Sequence, residues 1–216
     1  MTDIEFIKSI VELYRKARLT FFPAGNIKRG KSHTISSQVE DLFALYISDI
    51  VNSKIEILID QPISFSHNNV SKTIYADIAM IKDDLIYQIW DIKTDLGWKR
   101  DIFPQFCKDK DELVNSIKSK DAKFKNREDN TSRQLKFSSD FTFNIVVISC
   151  KNISTIKHER VANETRQLQN VGVYFLTSDT HPNSNYDDDI NDLIKKINFN
   201  DTDFILLRHR IENDKL

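Results

Sequence analysis

With 216 residues, 40% of them hydrophobic and 29% charged, the chain has the make-up of one globular α/β domain with a sizeable core. Four glycines, four prolines and a net charge of −1 exclude long disordered linkers and a uniformly basic protein. No apolar run nears the ~18 residues of a membrane span, and Met1 to Glu5 lack the basic and apolar regions of a secretory signal. Cys107 and Cys150 stand alone, so the expectation is a cytoplasmic protein with reduced thiols and no membrane partner.

Ile4, Ile7, Ile10, Val11, Tyr14 and Ala17 recur at a helical period and predict a first helix from Ile4 to Leu19, ended by Phe22-Pro23-Ala24-Gly25. Asn26 to His33 reads as an exposed loop. Between Leu13 and Lys31 there are six basic residues and no acidic ones, a local field that a neutral total conceals. Thr34 and Ser36 are the expected caps of a second helix running to about Val51, with a core stripe of Val39, Leu42, Phe43, Tyr46, Ile47 and Ile50.

Strands are predicted at about Ile55–Phe65, Thr73–Ile81 and Leu85–Lys93. Lys82-Asp83-Asp84 turns the last two into an antiparallel hairpin. A charged, mostly helical stretch follows from Trp98 to Glu128. Then come a strand over Phe141–Cys150, a helix over His158–Asn170, a strand over Val171–Thr177, a helix near Asp188–Ile197 and a last strand near Phe204–Arg208. This order predicts a mixed β-sheet flanked by α-helices, in a single domain over residues 1–216. The core is placed at about 32–210, preceded by the helix and basic loop of 1–31, with 98–133 as a mostly helical insertion.

The hairpin carries charges where core strands should have none. Asp77 sits in Thr73–Ile81, and Asp91 and Lys93 in Leu85–Lys93. A buried ionised carboxylate is very costly unless it is paired or binds a metal. Asp91 and Lys93 share a strand face. With thirteen residues between Asp77 and Asp91, a short turn near Asp84 would set the two carboxylates opposite each other; a one-residue slip would part them. Two such carboxylates suit a hard cation such as Mg²⁺, with the Ile92 carbonyl as third ligand. Lys93 is then placed to orient water or stabilise charge on a phosphate. Glu40, three residues before Phe43, lies at the edge of its helix stripe and completes the set.

Glu40, Asp77 and Asp91-Ile92-Lys93 resemble the PD-(D/E)XK nucleases, the restriction-endonuclease-like superfamily: a helix glutamate, a strand aspartate, and an acidic-x-Lys on the next strand. The resemblance covers roughly Ser32 to Asp95, and Ala76 stands where the motif has proline. It implies a restriction-endonuclease-like α/β fold and Mg²⁺-dependent hydrolysis of double-stranded DNA, with Mn²⁺ able to substitute. It also implies Glu40, Asp77, Asp91 and Lys93 as the catalytic set, with the metal held by Asp77, Asp91, the Ile92 carbonyl and Glu40. A type II restriction enzyme acting as a homodimer is the leading expectation. A structure-specific repair or recombination nuclease, or a silent DNA-binding module of the same fold, are the alternatives.

Lys28, Arg29 and Lys31 in the basic loop, and Lys99 and Arg100 just after the Asp-x-Lys strand, are the candidate DNA-backbone contacts. His33, His158 and His181 have no partners at zinc-ligand spacing and read as surface or capping residues. No glycine-rich phosphate loop occurs, so no nucleotide cofactor is expected. Asp187-Asp188-Asp189 reads as a helix N-terminus.

Overall fold

Thr2-Asp3-Ile4-Glu5 forms a capping box. Thr2 N donates to Glu5 Oε2 at 2.7 Å, and Glu5 N donates to Thr2 Oγ1 at 3.2 Å. These bonds start α1 (Asp3–Arg18), which buries Phe6, Ile7, Ile10 and Val11; Ile4, assigned to the core stripe from its spacing, is 57% exposed. The computed structural model describes residues 1–18, 26–27, 33–51, 54–126, 130–183 and 189–212, without the side chains of Trp98, Thr155 and Lys157. The expected stop at Phe22–Gly25 lies outside these residues.

The second helix, α2 (Ser36–Ser48), buries Val39, Phe43, Ala44, Tyr46 and Ile47. Neither Thr34 nor Ser36 caps it: Ile35 holds the cap position with no side-chain bond. Tyr46 Oη donates to Asp3 Oδ1 at 2.7 Å and so ties α2 to α1.

Three strands follow, β1 (Glu56–His67), β2 (Val70–Lys82) and β3 (Leu85–Lys93). Each connection is a two-residue turn with both residues at positive φ, Asn68-Asn69 and Asp83-Asp84. That is the turn whose twist matches a hairpin, and Asn and Asp tolerate it better than most side chains. After a 3₁₀ turn at Gly97–Asp101 come α3 (Phe103–Ile117), β4 (Asp121–Lys125), β5 (Ser132–Ser149), α4 (Thr155–Thr165), β6 (Val171–Ser178), α5 (Ile190–Lys196), β7 (Asn198–Phe199) and α6 (Asp201–Glu212).

The seven strands among the described residues run in the order β3-β2-β1-β4-β5-β6-β7, and β5 also pairs with β3, so the first five strands close on themselves. β3–β5 and β5–β6 are parallel; the other pairs are antiparallel. The fold is therefore a mixed sheet flanked by helices. On one face Ile89, Ile145 and Phe175 pack with Phe103, Cys107 and Val114 of α3 and Val161 of α4. On the other, Trp90, Val146 and Leu176 meet Phe6, Phe43, Leu193, Phe204 and Leu207 from the remaining helices. Each fully buried side chain of this size is worth ~1.5–3 kcal/mol in removal from water.

Two expectations fail for identifiable reasons. Phe204–Arg208 is helix, not strand. Asn200 Oδ1 accepts Asp203 N at 3.2 Å, Asp201 and Asp203 sit in the first turn, and Phe204, Leu207 and Ile211 are buried at a helical period. The stretch from Trp98 is helical only as far as Ile117. From Asp121 the chain returns to the sheet as β4, with Ala122 and Phe124 buried between exposed charges, so this part of 98–133 is integral to the sheet. Several boundaries also move: α4 begins and ends earlier than the expected His158–Asn170, and β5 begins before Phe141. No helix among the described residues is long and apolar enough to cross a membrane.

Candidate active site

A two-residue turn at Asp83-Asp84 pairs Lys82 with Leu85 and Ile81 with Ile86. Continued without interruption, that register would set Asp77 opposite Trp90 and send Asp91 to the other face. Instead the ladder shifts, and Met80 pairs with Gln88, Ala79 with Ile89 and Ile78 with Trp90. The residue absorbed is Tyr87, a β-bulge that brings Asp77 level with Asp91. The odd number of residues between the carboxylates is thus taken up by the bulge and not by the turn.

Beyond Ile78–Trp90 the β2–β3 ladder ends. Asp77 Oδ2 accepts the N–H of Ile92 at 2.5 Å, where a β2 carbonyl would otherwise sit. The N–H and C=O of one strand residue point to the same side, so the Ile92 carbonyl opens toward the same gap. On β1, Asp60 stands opposite Asp77, between the Ile59–Ile78 and Gln61–Ala76 pairs, with a left-handed φ of 47°. The sequence reading missed Asp60; its signal was an acidic residue inside the apolar run Ile55–Phe65.

Asp91 is 9% exposed and alternates with Ile89 on the face covered by α3, while Trp90 and Ile92 pack toward α2. Because β3 pairs on both sides, with β2 and β5, Asp91 and Lys93 are not a solvated edge pair. The Lys93 ammonium forms an ion pair with Asp91 Oδ1. Asp77 and Asp91 stand side by side on neighbouring strands; burial first, then the charge of Asp91, push Asp77 up to about 7.

Glu40, on α2, is half-buried. Burial first, then Asp60 and Asp41, raise its pKa, while Lys93 opposes them. It lies within electrostatic range of the trio and makes no hydrogen bond to it. The structure therefore brings Asp77, Asp91 and Lys93 together and leaves Glu40 at the margin. No three His, Cys, Asp or Glu side chains among the described residues already form a metal-binding group. The chemistry of the donors nonetheless fits a hard cation: two abutting carboxylates and a carbonyl supply only oxygen, and their repulsion is relieved by a proton or a cation.

Past Lys93 the loop at Asp95 borders a cleft of about 620 Å³. There Asp95 pairs with His181 Nε2 at 3.6 Å and accepts Asn152 Nδ2 at 3.0 Å. The neighbouring His181 holds the Asp95 carboxyl below its ordinary range. Arg100 donates to the Asn152 carbonyl at 2.9 Å and Lys99 is exposed, both beyond the end of β3. Lys28, Arg29 and Lys31 lie outside the described residues. His158 and His181 are partly buried: His158 stacks edge-on against Phe175 at 4.7 Å, and His181 stacks against Tyr14 at 5.6 Å while its Nδ1 accepts Asn183 N at 2.9 Å, a local cap. His33 is exposed, and Cys107 and Cys150 are buried and unbridged. Asp189 caps α5, accepting Asn191 N at 2.8 Å; Asp187 and Asp188 lie outside the description. No protein-family model, curated protein or solved structure matches the chain.

Proposed function

We propose that the protein is a metal-dependent DNA endonuclease with a restriction-endonuclease-like core, acting as a type II restriction enzyme. The observation that carries this reading is the placement of Asp77 level with Asp91 at the point where β2 leaves β3, with Lys93 paired to Asp91. The order of helix, three antiparallel strands and helix, followed after β4 by a strand parallel to β3, supports the same reading.

In this reading Asp77, Asp91 and the Ile92 carbonyl would hold Mg²⁺ (or Mn²⁺), which when bound would supply a water of lowered pKa and charge to offset that of the scissile phosphate. Asp77 braces β3 through the Ile92 N–H, leaving its other oxygen as the one that would serve a cation. Lys93, paired with Asp91, would orient a water or stabilise charge on a phosphate oxygen brought beside that pair. Glu40 takes its place from the α2 side, where a second cation or a water would relieve its burial. Lys99 and Arg100, at the end of β3, supply backbone phosphate contacts. A palindromic target calls for a homodimer, each subunit cutting one strand.

The test is incubation with unmethylated plasmid and phage DNA in Mg²⁺ or Mn²⁺, beside EDTA, Asp91→Ala and Lys93→Ala controls. Discrete, metal-dependent fragments lost in both variants are expected. A smear with the same controls would favour a structure-specific or repair nuclease. Absence of cleavage of any duplex, branched or single-stranded DNA would overturn the enzyme and leave the binding-module reading.

A further inference from the structure

α3 turns a regular stripe toward the sheet: Phe103, Cys107, Val114 and Ile117 are buried, with Phe106 and Leu113 packed beside them. The position between Cys107 and Val114 on that stripe is Lys110, where the helical period calls for an apolar side chain. Its ammonium lies 4.8 Å from the ring centre of Phe143 and 5.2 Å from that of Phe106. Phe143 pairs with Ile89, and Ile145 with Asp91. All belong to the face that α3 covers, so the ammonium sits one pleat back from Asp91 on the neighbouring strand.

Among the described residues no carboxylate forms an ion pair with Lys110. Aromatic faces hold a cation without neutralising it. A half-buried ammonium without an anion is costly, and its burial lowers the pKa of Lys110 against the pull of Asp91. Lys93 is already engaged with Asp91. One cation of the site is thus committed to a carboxylate, and the other lies unpaired within electrostatic range of Asp91.

We propose that Lys110 is a substrate-binding residue of this site, its ammonium contacting a phosphate oxygen of the DNA strand that lies across Asp77 and Asp91. The proposal rests on the nuclease reading above. It gives α3 a role beyond packing: the helix carries a charge into the space between itself and β3.

The test compares wild type, Lys110→Met and Lys110→Arg. Three readouts are taken: thermal melting, single-turnover cleavage of supercoiled plasmid in Mg²⁺, and the salt dependence of binding to a mixed-sequence duplex in EDTA. Methionine suits the stripe, so melting is expected to stay level or rise. Cleavage should fall by ~10²-fold, and the slope of log K against log salt should shrink by about one phosphate contact. Arginine should keep the slope. If methionine does not fold, Lys110→Gln replaces it. A wild-type rate and slope in Lys110→Met, with cleavage still abolished by Asp91→Ala, would overturn the role of Lys110 alone. A wild-type protein that neither binds nor cuts DNA would overturn the nuclease reading and this proposal with it.

Discussion

Asp77 Oδ2 receives the backbone N–H of Ile92, fifteen residues further along the chain, at 2.5 Å. A side chain here does the work of a missing rung in the sheet: it closes the β2–β3 ladder and holds the gap beyond it open. The same carboxyl lies beside Asp91, whose charge raises its pKa. One residue therefore joins the architecture of the hairpin to the chemistry of the site, and changes to it should be felt in both.

The first consequence is a dependence of stability on pH in metal-free protein. Asp77 is raised from 3.8 to about 7 by burial and by Asp91. Between those values the folded state binds a proton that the unfolded chain has released, so stability falls as pH rises through that window and levels off above it. Asp77→Asn keeps an acceptor for Ile92 but cannot ionise, and its profile should be flatter. Melting in EDTA from about pH 4 to about pH 8 reads this out, and added Mg²⁺ should raise the wild-type curve most at the alkaline end. Parallel wild-type and Asp77→Asn profiles would contradict the coupling.

Removing the cation should cost more than removing the pair. Lys93→Met leaves Asp91 buried beside Asp77 without its ion-pair partner, and a loss of ~1–3 kcal/mol is expected, the range for an orphaned buried polar group. Asp91→Asn combined with Lys93→Met leaves no unpaired charge and should regain much of that loss. Urea unfolding of the two singles and the double forms the cycle. Equal stability of Lys93→Met and wild type would mean that the ion pair is solvated.

The hairpin was legible because β3 reads as an unbroken apolar run with two charges in it, and the observed strand matches Leu85–Lys93 end to end. What could not be read was how an odd spacing becomes a shared face. A bulge at Tyr87 leaves no composition signal, since its cause is the joint register of β3 with β2 and β5. Glu40 was legible as a stripe-edge residue, but its distance from the trio depends on how α2 lies on the sheet. Lys110 was hidden by its setting: Asp109, Asp111 and Glu112 surround it in sequence, and only the packing of α3 shows it on the core stripe. β4 was visible as a five-residue alternation inside a charged stretch, overridden by the helical pattern before it.

The misread C-terminal segment has its own test. As a strand, Ile205 and Leu207 would share one face. As α6, Leu207 is fully buried while Ile205 and Leu206 are 47% and 49% exposed. Leu207→Ala should therefore cost ~2–5 kcal/mol, and Ile205→Ala and Leu206→Ala no more than ~0.5–1 kcal/mol each. Chemical denaturation of the three variants checks the pattern; similar losses at 205 and 207 would favour the strand.

Gly172 is required by close approach and not by backbone conformation, since its φ is not in the left-handed range. A Cβ there would lie 2.6 Å from Tyr174 Oη and 2.7 Å from Asn144 Oδ1. Asn144 is fully buried and its Nδ2 donates to Thr142 Oγ1 at 3.2 Å, while the Tyr174 hydroxyl accepts Arg210 Nε at 3.3 Å. Gly172→Ala must push the tyrosine off Arg210 or turn the asparagine away from Thr142, and overpacking of this kind costs ~1–3 kcal/mol. Tyr174→Phe in the same chain removes the nearer clashing atom and should recover part of the loss. All of this lies on the face opposite Asp91, so metal-dependent cleavage, measured well below the melting temperature, should stay at the wild-type rate. A variant that melts earlier and also cuts more slowly would show that the two faces of the sheet are mechanically coupled through β5.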